Sequence, residues 1–409
     1  MTDRKSLLIW LSNCIGTYVR SGDKLYEHFG GSVEAIYGAS GEEYAKIKGL
    51  NEKVAARLSD KSLKEAEEIE TWCESHDVSV VTVEDDLYPK RLFAVDSHPF
   101  VLYCKGNLIQ LDKKLCVALV GTRRMTQYGS SSAYDMAYDL AKAGAVVVSG
   151  MADGIDGMAH RGCLDAGGYT IAVLGNGIDR AYPAFHYELM EEIAQKGCVL
   201  TEFCPFTKPE RYNFPLRNRV ISGISQATLV IEAPEKSGAL NTAQHCLAQH
   251  RRLYAVPGKI GELTNVGTNV LIKDGARAVT YGREIIDDYA ERYPSLDPSL
   301  IPTEKVKKGF SPGFLAGYMP KRSKPKQESP AVKEEAPKAE PPKTPKIETD
   351  GLSENEIAVL RCFDDGKPVN ATEAAEITGL PIRDVLTSIT MLEICGRIQH
   401  LSGDDYILI

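Results

Sequence analysis

The chain has 409 residues, 43% hydrophobic and 25% charged, with a formal net charge of -8. That length accommodates two or three domains with a sizeable core, and the acidic balance excludes a molecule that is cationic throughout, so any polyanion site has to be a local cluster of arginines. No apolar run is long enough to span a bilayer, and the N-terminus breaks at Ser12 and Asn13 before a signal-peptide core could form, so the expected location is the cytoplasm, with no membrane partner.

Residues 1–85 read as short helices punctuated by glycine, including Leu25–Gly31 and Ile47–Leu58. The second has the look of a helix-hairpin-helix, in which a Gly-Leu turn brings a helix start near a phosphate. The acidic helix that follows, Lys64–Glu70, favours a structural role.

From 86 to 295 apolar runs alternate with amphipathic ones, the pattern of a doubly wound, mostly parallel sheet covered on both faces. The expected strands are Leu115–Val120, Ala145–Ser149, Tyr169–Leu174, Val199–Phe203, Ala227–Glu232, Arg252–Val256 and Ala276–Thr280. Helices are expected over Ser130–Ala143, Asp156–Ala166, Phe185–Gln195, Ala239–Gln249 and Asn269–Asp274. Ligands of such a sheet bind beyond the carboxyl ends of its strands. The loops there are unusual: Gly121–Gly129, Ser149–Asp156, Gly175–Gly177, Arg211–Arg219 and Ser237–Thr242. In Asn213-Phe-Pro-Leu-Arg-Asn-Arg219, arginine forks suit phosphate, asparagines can read a base edge, and Phe214 offers a stacking face. The glycine loops match neither the dinucleotide fingerprint nor the P-loop, so no nucleotide cofactor is expected. Ten scattered cysteines without a C-x-x-C pair argue for packed, reduced thiols and no metal site.

Residues 300–349 are rich in Pro, Lys, Glu and Ser and are expected to form an extended, disordered linker. Residues 350–409 carry a capping box at Ser353–Glu356, a helix and turn over Asn370–Leu380, a second helix over Pro381–Cys395 and a terminal hairpin, the pattern of a winged helix. With Arg361, Lys367, Arg383 and Arg397 against ten acids over residues 351–409, this module suits a protein partner better than duplex DNA.

The ordered motifs Val120-Gly-Thr-Arg123, Val148-Ser-Gly-Met-Ala, Gly154-Ile-Asp156 with His160, Tyr182-Pro183, Asn213-Phe-Pro-x-Arg-Asn-Arg219, Ser237-Gly-Ala-Leu and Ala255-Val-Pro-Gly258 resemble the DNA-processing protein A (DprA/Smf) family. The resemblance runs from Tyr88 to Ile286. It implies an extended Rossmann-like core, flanked by a small sterile-alpha-motif-like domain and a winged helix. It implies a non-enzymatic, homodimeric protein that binds single-stranded DNA during natural transformation, protects it and loads the RecA recombinase. By motif position the DNA-binding residues would be Gly121, Thr122, Arg123, Ser149, Gly150, Arg211, Asn213 and Phe214, with Arg217, Asn218 and Arg219 close by. Arg123, Arg211 and Arg217 would clamp phosphates and Phe214 would stack on a base. Asp153 stands where the family usually carries a basic residue, Asn241 where an aliphatic one is usual, and Arg211 where a lysine is expected.

Two other readings stay open. The fold could carry a nucleotide-processing enzyme with Asp156, His160 and Glu202 as acid–base groups. Alternatively the chain could be a scaffold that recruits partners through its acidic C-terminal module.

Overall fold

A computed structural model describes residues 3–301, 353–363, 369–394, 397–400 and 405–408. The chain divides into two compact units, Met1–Tyr318 and Met319–Ile409.

The first unit opens with six helices: α1 (Arg4–Ile15), α2 (Arg20–His28), α3 (Val33–Gly38), α4 (Gly41–Ala45), α5 (Glu52–Ser59) and α6 (Lys64–Ser75). Asn51 caps α5 through its side chain, and a Ser40–Glu43 capping box starts α4. Nearly the whole of α1 is buried, and its leucines sit in one apolar cluster with Val101, Tyr103, Leu174, Leu189 and Val199 of the sheet region. The helical segment is thus fused to the sheet by a continuous core. The boundary expected at residue 85 also falls after a strand, β1 (Val78–Thr82), that belongs to the main sheet.

The sheet continues with β2 (Val101–Gly106), β3 (Cys116–Val120), α7 (Gln127–Lys142), β4 (Val146–Ser149), α8 (Ile155–Asp165), β5 (Thr170–Val173), α9 (Tyr187–Lys196) and β6 (Cys198–Thr201). It is completed by α10 (Asn213–Ile224), β7 (Ala227–Val230), α11 (Gly238–Ala248), β8 (Arg252–Ala255), α12 (Val266–Lys273), β9 (Arg277–Ala278) and α13 (Gly282–Asp287). The strand order is β1-β2-β6-β5-β4-β3-β7-β8-β9. From β6 through β9 the neighbours are parallel, whereas β1 and β2 add antiparallel at one edge. This is a mixed α/β fold built on a large, mostly parallel sheet. The antiparallel pair was not foreseen: β1 precedes the alternating region, and β2, inside it, is followed by no helix that would return the chain parallel.

Alternate residues of β3 serve opposite faces, as the strand's two-residue period requires. Val117 and Leu119 pack with Met136 and Leu140 of α7 and Met158 of α8. Cys116, Ala118 and Val120 pack instead with Val220, Ile221 and Ile224 of α10 and Ala243 of α11. The chain winds outward through β4, β5 and β6, then returns to place β7 against β3. That reversal leaves a crevice above the carboxyl ends of the central strands. Nine of the cysteines are described; all are free and most are buried. Among the described residues no helix is long and apolar enough to cross a membrane.

The second unit has helices Glu354–Arg361, Ala371–Thr378 and Ile382–Ile394, and a three-stranded antiparallel sheet of Val369–Asn370, Asp405–Leu408 and Ile398–His400. Capping boxes start its first two helices, at Ser353–Glu356 and Asn370–Glu373. The second helix ends at Gly379, whose φ of 69° is the left-handed cap glycine tolerates. Val359, Leu360, Phe363, Val385, Ile389 and Leu392 form its core. The expected linker lies outside the described residues from 302 onward.

Candidate nucleic-acid interface

The loop after β3 is pinned to the end of β7. The Thr122 amide donates to the Glu232 carbonyl (2.8 Å), and the Thr126 amide donates to the Glu232 carboxylate (2.9 Å). The Thr126 hydroxyl then caps α7 by accepting from Gly129 N (3.1 Å), and Thr122 Oγ1 accepts from Arg124 N (3.2 Å). Thr122 is therefore buried while Arg123 is left exposed at the tip. Gly121 packs against Ile155.

After β4, Ser149 Oγ donates to the Leu119 carbonyl (2.6 Å), tying β4 to β3 inside the core. Gly150 leaves room for Arg217, since a methyl group there would lie 2.6 Å from its guanidinium. Arg217 Nη1 donates to the Gly150 carbonyl (2.7 Å) and to the Val173 carbonyl of β5. The Asp156 carboxylate accepts from the amides of Gly150 (3.1 Å) and Ala152 (3.4 Å). Burial raises the Asp156 pKa and pushes the Arg217 guanidinium down to about 10, and each group's charge opposes the shift of the other. Arg217 stays charged near neutrality, as a buried staple joining α10 to β5 and the loop after β4.

The start of α10 completes the crevice. Asn213 is buried and donates from Nδ2 to the Lys208 carbonyl (3.2 Å). Phe214 rests on Gly175, where a methyl group would come within 2.7 Å of the ring. The Arg123 guanidinium carbon lies over Phe214 at 5.2 Å from the ring centroid, and that of Arg217 lies at 5.9 Å. Both distances are within cation–π range. The Tyr182 ring adjoins Phe214 at 5.2 Å, tilted by 35°. Around these side chains lies a cleft of about 180 Å³ whose lining also includes Asp153, Gly175 and Phe185. Arg211 and Lys208 are exposed in the segment leading into α10.

The structure thus brings Arg123, Gly150, Arg217 and Phe214 together, leaves Gly121 packed on Ile155, and corrects several expected roles. The Arg217 guanidinium is engaged by main-chain carbonyls and is not presented as a phosphate clamp. Ser149 and Asn213 hold the frame. Asn218 donates to Asn241 Oδ1 (3.2 Å) and the Gly238 carbonyl (3.4 Å), joining α10 to α11. Arg219 turns away, pairing with Glu202 through two hydrogen bonds of 2.7 and 2.6 Å. It lines a separate cavity of about 470 Å³ beside Trp10, Arg57 and Phe100. A helical repeat explains this: Asn213, Arg217, Val220, Ile221 and Ile224 are buried at three- and four-residue spacing. Sequence reasoning named Tyr182 only as part of a family motif and Phe185 only as a helix start, and assigned neither of these exposed aromatics to the cleft wall. The aromatic spacing in Tyr182-Pro-Ala-Phe185, next to a glycine loop, was the available signal.

The acid–base groups of the enzyme reading do not assemble at this cleft. His160 is fully buried with Nδ1 2.7 Å from Thr170 Oγ1, and burial lowers its pKa to about 3. Asp156 is held by amides and Glu202 by Arg219.

The sequence model described as DNA recombination-mediator protein A matches residues 79–290, which span β1 to α13 and every loop of the crevice. The chain belongs to that family. The DNA processing protein DprA of Bacillus subtilis is 36% identical over 215 residues, covering 53% of this chain and 72% of that protein. Protein Smf of Synechocystis is 34% identical over 329 residues, covering 80% of this chain and 79% of its own length. The crystal structure of DNA processing protein A from Streptococcus pneumoniae superposes with a TM-score of 0.61 at 30% identity, over 69% of this chain and 97% of that one.

Proposed function

We propose that this protein binds single-stranded DNA across the crevice at the carboxyl ends of β3, β4 and β5, protects incoming strands during natural transformation in the cytoplasm, and hands them to the RecA recombinase. The observation that carries this reading is the exposed Arg123 guanidinium laid over the half-buried Phe214 ring. A cation for a phosphate and a face for a base stand side by side, and every unpaired base offers a stacking face. Arg211 and Lys208 extend the cationic path. The relatives named for DNA processing and the recombination-mediator family support the assignment. No catalytic step is part of it.

In this reading residues 1–85 act as a helical module, 86–295 as the DNA-binding core, 300–349 as a tether and 350–409 as a winged helix that contacts a protein. The core forms a homodimer through the apolar groove between α11 and α12. Leu240, Leu253 and Leu271 line that groove, and Leu247 and Val270 are 55% and 47% exposed at its rim.

Fluorescence anisotropy with labelled oligo-dT at two salt concentrations tests the binding. Salt-sensitive association that is lost in Arg123→Ala with Arg211→Ala is expected, and unchanged affinity in the double variant rejects the site. Light scattering of Leu247→Glu with Val270→Glu should report a monomer. A RecA strand-exchange assay on protein-coated single strands tests the handover.

A further inference from the structure

Asp153 places a negative charge in a cleft otherwise suited to a polyanion. The cavity of about 180 Å³ is large enough to admit a single planar base, and Tyr182, Phe185 and Phe214 supply its aromatic walls. Tyr182 and Phe185 are 36% and 63% exposed, so a base can reach them from solvent. Asp153 Oδ1 accepts from the Gly154 amide at 2.8 Å, which fixes the carboxylate in the loop after β4. Its Oδ2 has no hydrogen bond among the described residues. The cations lining this cleft and packed beneath it are already placed: Arg123 lies over Phe214, and Arg217 is buried on main-chain carbonyls.

A carboxylate only accepts hydrogen bonds, and its two oxygens take them best from two donors side by side. Guanine presents such a pair, N1–H and the N2 amino group. Thymine sets one N–H between two carbonyl oxygens that a carboxylate repels. Adenine and cytosine offer one amino group next to a ring nitrogen that is itself an acceptor. We infer that Asp153 makes this cleft a guanine-selecting pocket within the bound strand. The inference rests on the single-strand reading and adds to it the base that the cleft takes.

The test is anisotropy competition with oligo-dT strands of one length, each carrying a single central deoxyguanosine, deoxyinosine, deoxyadenosine or deoxycytidine. The guanosine strand should compete about tenfold better than all-thymidine, within the range for a bidentate base contact, and inosine, which lacks the N2 amino group, should fall most of the way back. Asp153→Asn keeps an acceptor for the Gly154 amide but replaces one carboxylate oxygen with a donor. It should erase the guanine preference, so that the guanosine strand competes no better than all-thymidine, and Asp153→Ala should do the same. Equal competition by all strands, or a guanine preference surviving in both variants, overturns the inference while the single-strand reading stands. No binding to any strand overturns both.

Discussion

The guanidinium of Arg123 lies over the ring of Phe214, its carbon 5.2 Å from the centroid, although one comes from the loop after β3 and the other from the start of α10, about ninety residues on. The contact sets an exposed arginine beside a stacking face. Phe214→Ala removes both the platform for a base and the support for the cation. Its affinity for oligo-dT should fall by about 1–3 kcal/mol, the usual cost of losing one base–aromatic stack. Phe214→Tyr should retain most of the binding in the same anisotropy titration. A Phe214→Ala protein that binds as tightly as the parent would show that no base stacks there.

Salt dependence separates phosphate contacts from stacking. Each cation that neutralises a phosphate of a single strand contributes about -0.7 to the slope of log affinity against log salt. Arg123→Ala with Arg211→Ala should therefore flatten that slope by about 1.4. Phe214→Ala should lower the affinity at every salt concentration and leave the slope nearly unchanged.

Arg219 was expected near DNA and instead pairs with Glu202, with side-chain exposures of only 6% and 10%. Breaking a buried pair from one side strands the other charge, at a cost of about 3–5 kcal/mol. Arg219→Met should lower the urea unfolding midpoint accordingly, and Arg219→Met with Glu202→Leu should recover part of the loss. DNA affinity of the folded protein should not change. A stable Arg219→Met protein with weak DNA binding would return this residue to the interface.

His160 gives the fold an acid-sensitive element. Burial lowers its pKa to about 3, below the ordinary value of 6.5, so the folded state holds the ring neutral while the unfolded chain protonates it. Above pH 6.5 the group has no effect on stability. As the pH falls from there towards 3, the unfolded state gains a proton and stability drops by up to about 1.4 kcal/mol per pH unit. Urea titrations at pH 7, 5.5 and 4.5 should show His160→Asn losing stability less steeply than the parent. Equal slopes would assign the acid sensitivity to other groups.

Much of the core was legible in the text. The runs that became β3 to β8 are mostly apolar because both faces of the sheet are covered, and the glycine-rich segments between them fall on its carboxyl rim. The antiparallel edge was not legible. The β1–β2 pair joins the sheet only where β2 meets β6, about a hundred residues further along the chain. The second unit's capping boxes were half visible: Ser353–Glu356 was read, while Asn370–Glu373 was taken as part of a helix without its cap.

The amino-acid sequence by itself determined the parallel strands, the loops that share a rim and the family to which they belong, because apolar strand runs and glycine spacing are local properties. Tertiary structure decided what each cation does. Arg123, Arg211, Arg217 and Arg219 are chemically alike, but α10 turns about 100° per residue and packs one face on the sheet. Burial against carbonyls or Glu202 engages Arg217 and Arg219, and Arg123 and Arg211 remain exposed to solvent.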